Sequence, residues 1–273
     1  MKKIIKINLA VVFFVYICSC TPLKEVGTFT ASSQKTLQGI SIPYGSYKYC
    51  QDSCYLFNDN FKNLKEVNCN CKVDSIRDTI IVNEITILGS YYAGLTKLSG
   101  ASLINFAPVG KTIQKGTYGQ ITISANQATT FNNLSTVVTN LVTLEYKTKK
   151  IKEIISANDA NVQNAINILY LQISNLNGLI GTMESRYQTL FTMLIHNSTS
   201  ESDRIVLVSI YKQKIREFGG ARQYIDNLEN SIQRILKGDQ LLIGNINNLK
   251  DEGFKKSILS IAGDIIYLNT KSN

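Results

Sequence analysis

Residues 155–194 read ISANDANVQNAINILYLQISNLNGLIGTMESRYQTLFTML. In this stretch Ile155, Val162, Leu169, Leu176, Met183 and Leu190 recur every seven residues. A second apolar series, Ile166, Ile173, Ile180, Tyr187 and Leu194, follows four residues behind the later members of the first. Branched residues at one core position and mostly Leu at the other make a heptad pattern. A strand alternates every two residues and would not hold this phase over six repeats. The pattern returns further on. Tyr211, Phe218, Ile225, Ile232 and Ile246 share one phase, broken by Asp239, and Ala221, Leu228, Ile235, Leu242 and Leu249 lie three residues after it. Between the two arms stands His196-Asn197-Ser198-Thr199-Ser200-Glu201-Ser202-Asp203. Such short polar side chains compete for backbone hydrogen bonds and favour a turn with an N-cap at its end. A short connection makes the two helices antiparallel neighbours. Arms of roughly 45 residues would be about 65 Å long at the α-helical rise. The fold expected is therefore mainly α: a long antiparallel helical hairpin or bundle, with a small disulfide-bonded β/loop segment nearer the N-terminus.

From Ala160 to Met183 the first arm carries no charge, and its flanking positions hold Asn, Gln, Ser, Ala, Leu and Tyr. A two-stranded coiled coil in water solvates its outer face with charge, so this arm should be buried among other helices of the chain or of an oligomer. Contact with lipid is the other reading. The many Asn, Gln, Ser and Thr side chains there rule out a simple membrane-spanning helix.

Outward from the hairpin, Phe131, Leu134, Val138 and Leu141 form a helical stripe that could run straight into the first arm. Phe254, Ile258, Ile261, Ala262, Ile265 and Leu268 mark a last short helix before a polar tail. These place a helical hairpin or bundle at 126–269 and a tail at 270–273. Upstream, Ile81, Ile85, Leu88, Tyr92 and Leu95 share one face and predict a helix over 77–98, with Ser75 and Asp78 resembling a capping box at its start. The stretch 100–124 is expected to be extended: Gly116-Thr117-Tyr118-Gly119 precedes alternating Ile121 and Ile123, which suits a loose hairpin. Residues 39–125 thus read as a small mixed β/α segment.

Within it, Ile40, Ile42, Tyr44, Tyr47 and Tyr49 alternate with small and polar residues and suggest short strands. Cys50, Cys54, Cys69 and Cys71 follow. An even number of cysteines in an exported chain points to two disulfides. Three pairings are possible; linking the two clusters across the intervening loop, as Cys50–Cys71 with Cys54–Cys69, is favoured over pairing within each. Four thiols in C-x3-C and C-x-C spacing fit a structural zinc site poorly, because the usual knuckle has two residues between each pair.

The N-terminus carries the most specific motif. Met1-Lys2-Lys3-Ile4-Ile5-Lys6 is a charged leader, residues 7–17 are a short apolar run, and Ile17-Cys18-Ser19-Cys20 follows. This resembles the lipobox of bacterial lipoproteins: an aliphatic residue at −3, a small one at −1, then the cysteine that receives diacylglycerol. Cys20 fits that pattern better than Cys18, which would place bulky Ile17 at −1. The resemblance covers about 20 residues. It implies cleavage after a signal peptide of residues 1–19, acylation of Cys20 with palmitate-like chains and a cell-envelope address. Thr21 after the anchor favours the outer membrane in a Gram-negative cell. Two or three acyl chains make a stable anchor, at about 0.8 kcal/mol per buried methylene. Residues 21–38, rich in Thr, Ser, Lys and Gln, are expected to form a flexible tether, so that the acylated cysteine and tether together occupy 20–38.

The formal charge is +9, and loss of Lys2, Lys3 and Lys6 with the leader brings it to +6. That is too mild and dispersed to argue for nucleic acid, and the run Lys147, Lys149, Lys150 and Lys152 suits a solvated helix face. No catalytic, cofactor-binding or metal-binding residue can be assigned. The single histidine, His196, falls at the expected turn, and acidic residues occur singly, without paired spacing. Asp239, at a heptad core position beside Gly238, suits a device for register or bending. The expectation is thus a non-catalytic, lipid-anchored envelope protein with no cofactor, whose helical hairpin serves as a scaffold or interaction module. It would meet the membrane through its anchor and either another envelope protein or a second copy through the hairpin. The alternative is a membrane-acting protein. It resembles helical pore-forming toxins in architecture alone, with Ile85 to Val109, uncharged except for Lys97, as the inserting segment.

Overall fold

The computed structural model of the 273-residue chain describes residues 23–42, 45–56, 69–100, 112–118, 121–142 and 148–272. Among them are seven helices and one two-stranded hairpin: α1 (Lys24–Gln38), α2 (Ser46–Leu56), α3 (Lys72–Leu98), β1 (Gly116–Tyr118), β2 (Ile121–Ile123), α4 (Ala125–Val142), α5 (Thr148–Asn197), α6 (Glu201–Gly244) and α7 (Glu252–Ser272). The mainly α expectation holds. The signal peptide, Cys20 and most of the stretch 99–111 lie outside the described residues.

The heptad arms are α5, of 50 residues, and α6, of 44. Ile155, Val162, Ile166, Leu169, Ile173, Leu176, Ile180, Met183 and Tyr187 are all buried, and so are Phe218, Ile225, Leu228, Ile232, Ile235 and Leu242 opposite. Ser200 caps α6 by accepting from the Asp203 amide at 3.3 Å, as the polar cluster predicted. The uncharged part of α5 is largely covered by its own chain, since α3 and α4 pack on it as well as α6, and its remaining exposed face carries Asn167, Leu171 and Asn175. That covering is why so long a helix needs little charge.

Three expectations are corrected. First, residues 24–38 form a helix packed into the core and not a flexible tether: Leu23, Val26, Phe29 and Leu37 are buried, and so are Thr30, Ser32, Ser33 and Thr36. The hydroxyls of Thr30, Ser32 and Ser33 are tolerable inside because they bond their own helix: Thr30 Oγ1 donates to the Gly27 carbonyl at 3.2 Å, and Ser32 Oγ to that of Thr28 and Ser33 Oγ to that of Phe29, both at 2.9 Å. Second, the region of Tyr47, Tyr49 and Cys50 is helical, not strand, because its cysteines four apart share one helical face. Third, α4 does not continue into α5. Asn164 Nδ2 donates to Thr130 Oγ1 at 3.0 Å, so the two helices lie side by side. The C-terminal helix also runs further than expected, to Ser272.

The predicted hairpin is present, with Gly116 opposite Ile123, Thr117 opposite Thr122 and Tyr118 opposite Ile121. Helix α3 starts five residues before the expected Arg77, so Ser75 lies within it and caps nothing. Asp78 instead caps α2 from a neighbouring helix, accepting from the amides of Ser46 at 2.8 Å and Tyr47 at 2.9 Å. A Cβ at Gly45 would collide with the Asp78 carboxylate, so glycine is required there.

Helix α1 runs antiparallel to α6. Phe29 sits against Gly238, and Ser41 exchanges two hydrogen bonds with the Tyr224 hydroxyl, at 2.8 and 2.9 Å. Leu23 therefore lies at the opposite end of α6 from the hairpin turn, about 65 Å away along a 44-residue helix. Helices α1 to α4 and α7 surround that end. Among the described residues the turn end consists of α5 and α6.

Candidate functional site

The two disulfides are Cys50–Cys71 and Cys54–Cys69, with Cα separations of 5.7 and 5.9 Å. This is the pairing favoured by the cluster spacing. Cys50 and Cys54 stand one turn apart on α2, and together the bonds fasten α2 beside the start of α3. From there α2 reaches α5: Arg186 Nη1 donates to Ser53 Oγ at 3.2 Å. Beyond that level, among the described residues, the long helices touch each other.

An aromatic cluster closes the boundary. Tyr187 stacks on Phe191 with ring centroids 6.0 Å apart and meets Phe218 edge-on at 5.2 Å; Phe191 lies 5.9 Å from Tyr211. Burial, with the nearby carboxylates of Asp52 and Glu217, pushes the Tyr187 hydroxyl up to about 12. Past this cluster Leu207 and Tyr211 are still partly covered, but more apolar surface is exposed. Met193, Leu194, Ile205, Val206 and Ile210 are all exposed, Ile205 by 66% and Val206 by 53%. Register explains part of this. The contacts Asn177–Asp226 (2.8 Å) and Glu184–Arg222 set Asn197 roughly level with Leu207, so Glu201–Val206 overhang the end of α5. The overhang is held by Arg204, whose guanidinium donates twice to the Ser198 carbonyl at 3.0 and 2.9 Å. A groove of about 540 Å³ along α5, lined by Thr182, Ser185, Arg186, Thr189, Leu190 and Met193, leads to this end. His196 lies exposed within α5, one residue before its end, and not in the connecting turn where the sequence placed it.

Elsewhere, α6 and α7 flank an open groove of about 730 Å³ whose lining includes Arg234, Lys237, Lys256, Ser257 and Ser260. Arg234 is bridged to Asp264 at 3.5 Å. Among the described residues no cluster of His, Cys, Asp and Glu could hold a metal ion, and no helix is long and apolar enough to cross a membrane.

Two carboxyls lie inside the bundle. Asp239 is 3% exposed and accepts a hydrogen bond from the Tyr92 hydroxyl at 3.3 Å. Burial and the field of Asp159 push its carboxyl up to about 7, against the lowering effect of that bond. Its place in the heptad matches the expectation of a buried carboxyl. The helix passes through it unbroken, and Gly238 beside it exists to admit Phe29. Glu84, fully buried, faces Gln172 across α3 and α5. Sequence reading missed Glu84, because a lone glutamate within a helical stripe carries no signal of burial. The only available hint was its position three residues after Ile81 on the apolar face.

No family model, curated protein or solved structure matches the chain.

Proposed function

We propose that the protein is a non-catalytic, lipid-anchored scaffold of the bacterial envelope that offers the outer end of its α5–α6 hairpin to another envelope protein or to a second copy of itself. The supporting observation is the group of exposed apolar side chains Met193, Leu194, Ile205, Val206 and Ile210 at the projecting end of the hairpin. A cluster of apolar side chains on a projecting end suits a contact site. The lipobox resemblance supplies the address. Leu23, at the far end of the bundle, begins the packed structure only three residues after Cys20, so an acylated Cys20 would hold the bundle close to the bilayer with the hairpin turn directed away.

The pore-forming alternative is weaker on physical grounds. Ile85, Ile87, Leu88, Tyr91, Tyr92, Leu95 and Leu98, the described part of its inserting segment, are core residues of α3, and insertion would dismantle the bundle. The test is a photo-crosslinking residue in place of Val206, compared with one at exposed Asn167, in intact cells. Adducts specific to Val206, whether with another envelope protein or with the same chain, support the scaffold reading; equal, negligible labelling from both positions would end it. Labelled palmitate incorporated by the native chain and not by Cys20→Ala supports the anchor. Dye release from liposomes by the unacylated protein at micromolar concentration would favour the alternative.

A further inference from the structure

Gln172 Nε2 donates to Glu84 Oε1 at 3.0 Å, and the remaining oxygens of both groups, Glu84 Oε2 and Gln172 Oε1, are buried without a hydrogen-bond partner. Two buried acceptors left over on hydrogen-bonded neighbours call for a donor, since an unsatisfied buried oxygen is costly. One proton satisfies both. A carboxylic acid on Glu84 donates from Oε2 to the Gln172 carbonyl while the amide donates back to Oε1, closing a reciprocal acid–amide ring. We infer that Glu84 is an uncharged carboxylic acid in the folded protein and that this ring is a proton-operated latch fastening α3 to α5.

Among the described residues the surroundings supply no charge that would stabilise a carboxylate. On α5 no charge occurs from Ala160 to Met183, and α4 carries none at all. On α1 the charged residues are Lys24, Glu25 and Lys35, with Lys35 exposed. On α2, Lys48 and Asp52 are directed towards the hairpin, where they act on Glu217 and Tyr187. On α3 itself Arg77 is engaged by Ser46 Oγ, the Tyr118 carbonyl and Asp74, and β1 adds no charge. Ile81, Leu88, Leu169 and Ile173 are buried close by on the two helices. In agreement with the geometry, burial pushes the Glu84 carboxyl up to about 8, only partly offset by the Gln172 bond.

The sign follows. The folded state binds this proton more tightly than the unfolded chain, so stability is complete below the ordinary carboxylate range and is lost as pH rises towards about 8. Ionisation leaves a charge facing the Gln172 carbonyl dipole and drives α3 and α5 apart. The same proton therefore controls release of the apolar face of α3.

The experiment compares the full-length soluble chain with Glu84→Gln, whose amide can form the same ring at every pH. Thermal unfolding of the native protein should fall by roughly 5 °C or more between pH 6 and 9 relative to Glu84→Gln. Over the same range, hydrogen-exchange protection of residues 85–98, corrected for intrinsic rates, should drop at least tenfold in the native protein and hold in the variant. A protonated-carboxyl infrared band at pH 7 should weaken in Glu84→Gln. Parallel melting and protection profiles, or an infrared band unchanged by the substitution, would overturn the latch. The infrared comparison retains its force if the variant proves less stable.

Discussion

The two ends of the α5–α6 hairpin obey one sequence rule and meet different fates. Around Leu169, Ile173 and Ile232 the heptad side chains are sealed by neighbouring helices. Past Tyr187 the same period continues through Leu190 and Leu194, yet Leu194 is 39% exposed. Periodicity specifies which residues face the partner helix. Whether that face is dry depends on a third and fourth helix, because two helices alone cover only a narrow seam.

The sharpest test of that contrast is truncation at matched core positions. Ile173→Ala should cost about 3–4 kcal/mol through lost burial and a residual cavity, while Leu194→Ala should cost under about 1 kcal/mol; urea unfolding of both variants measures the gap, and equal losses would show the outer end to be as well packed as the bundle. Next in size is the boundary itself. Replacing Cys54 and Cys69 together by serine should cost about 2–3 kcal/mol, for cysteines 15 positions apart in sequence. Hydrogen exchange should then show α2 loosened and the weakly protected part of α5 extended inward past Met183.

Gly238→Ala should follow, at about 2 kcal/mol, because the new methyl group meets the Phe29 ring and α1 must shift; an unchanged melting temperature would mean that the close approach is absent in solution. Asp239→Asn should have the smallest effect and the opposite sign. Its carboxyl is raised to about 7, so native stability falls between the ordinary carboxylate range and neutrality, and the asparagine retains the acceptor for Tyr92. The variant should gain about 1–2 kcal/mol at pH 8 and converge with the native protein near pH 4, as read from denaturant midpoints at the two pH values.

Much of the frame was legible because long helices repeat their signal. Six heptads in α5 outweigh any local ambiguity, and the C-x3-C spacing of Cys50 and Cys54 with the later pair led to the observed disulfides. The spacing of four also marked α2 as a helix, but Tyr47 and Tyr49 beside Pro43 and Gly45 argued more strongly for strands. Helix α1 was obscured by composition: Thr and Ser look like tether residues until their hydroxyls are seen to bond the preceding turn, which lets them enter a core. Asp78 was read as a partner for Ser75 on its own helix because proximity in sequence is all that a motif records; the amides it caps lie 31 and 32 residues away. The exposed hairpin end was invisible for a related reason, since nothing in Ile205 or Val206 shows that α5 stops short of them.

The notch at Gly238 also restricts how α1 can move. With most of its hydroxyls turned back onto their own backbone, α1 grips its neighbours through few directional bonds, and a smooth surface of that kind would otherwise let the helix creep lengthwise. Phe29 prevents this as a key does in a lock. One turn away in either direction the ring would strike Arg234 or Leu242 instead of bare backbone. Helix α1 is therefore either home or disengaged, with no intermediate seat.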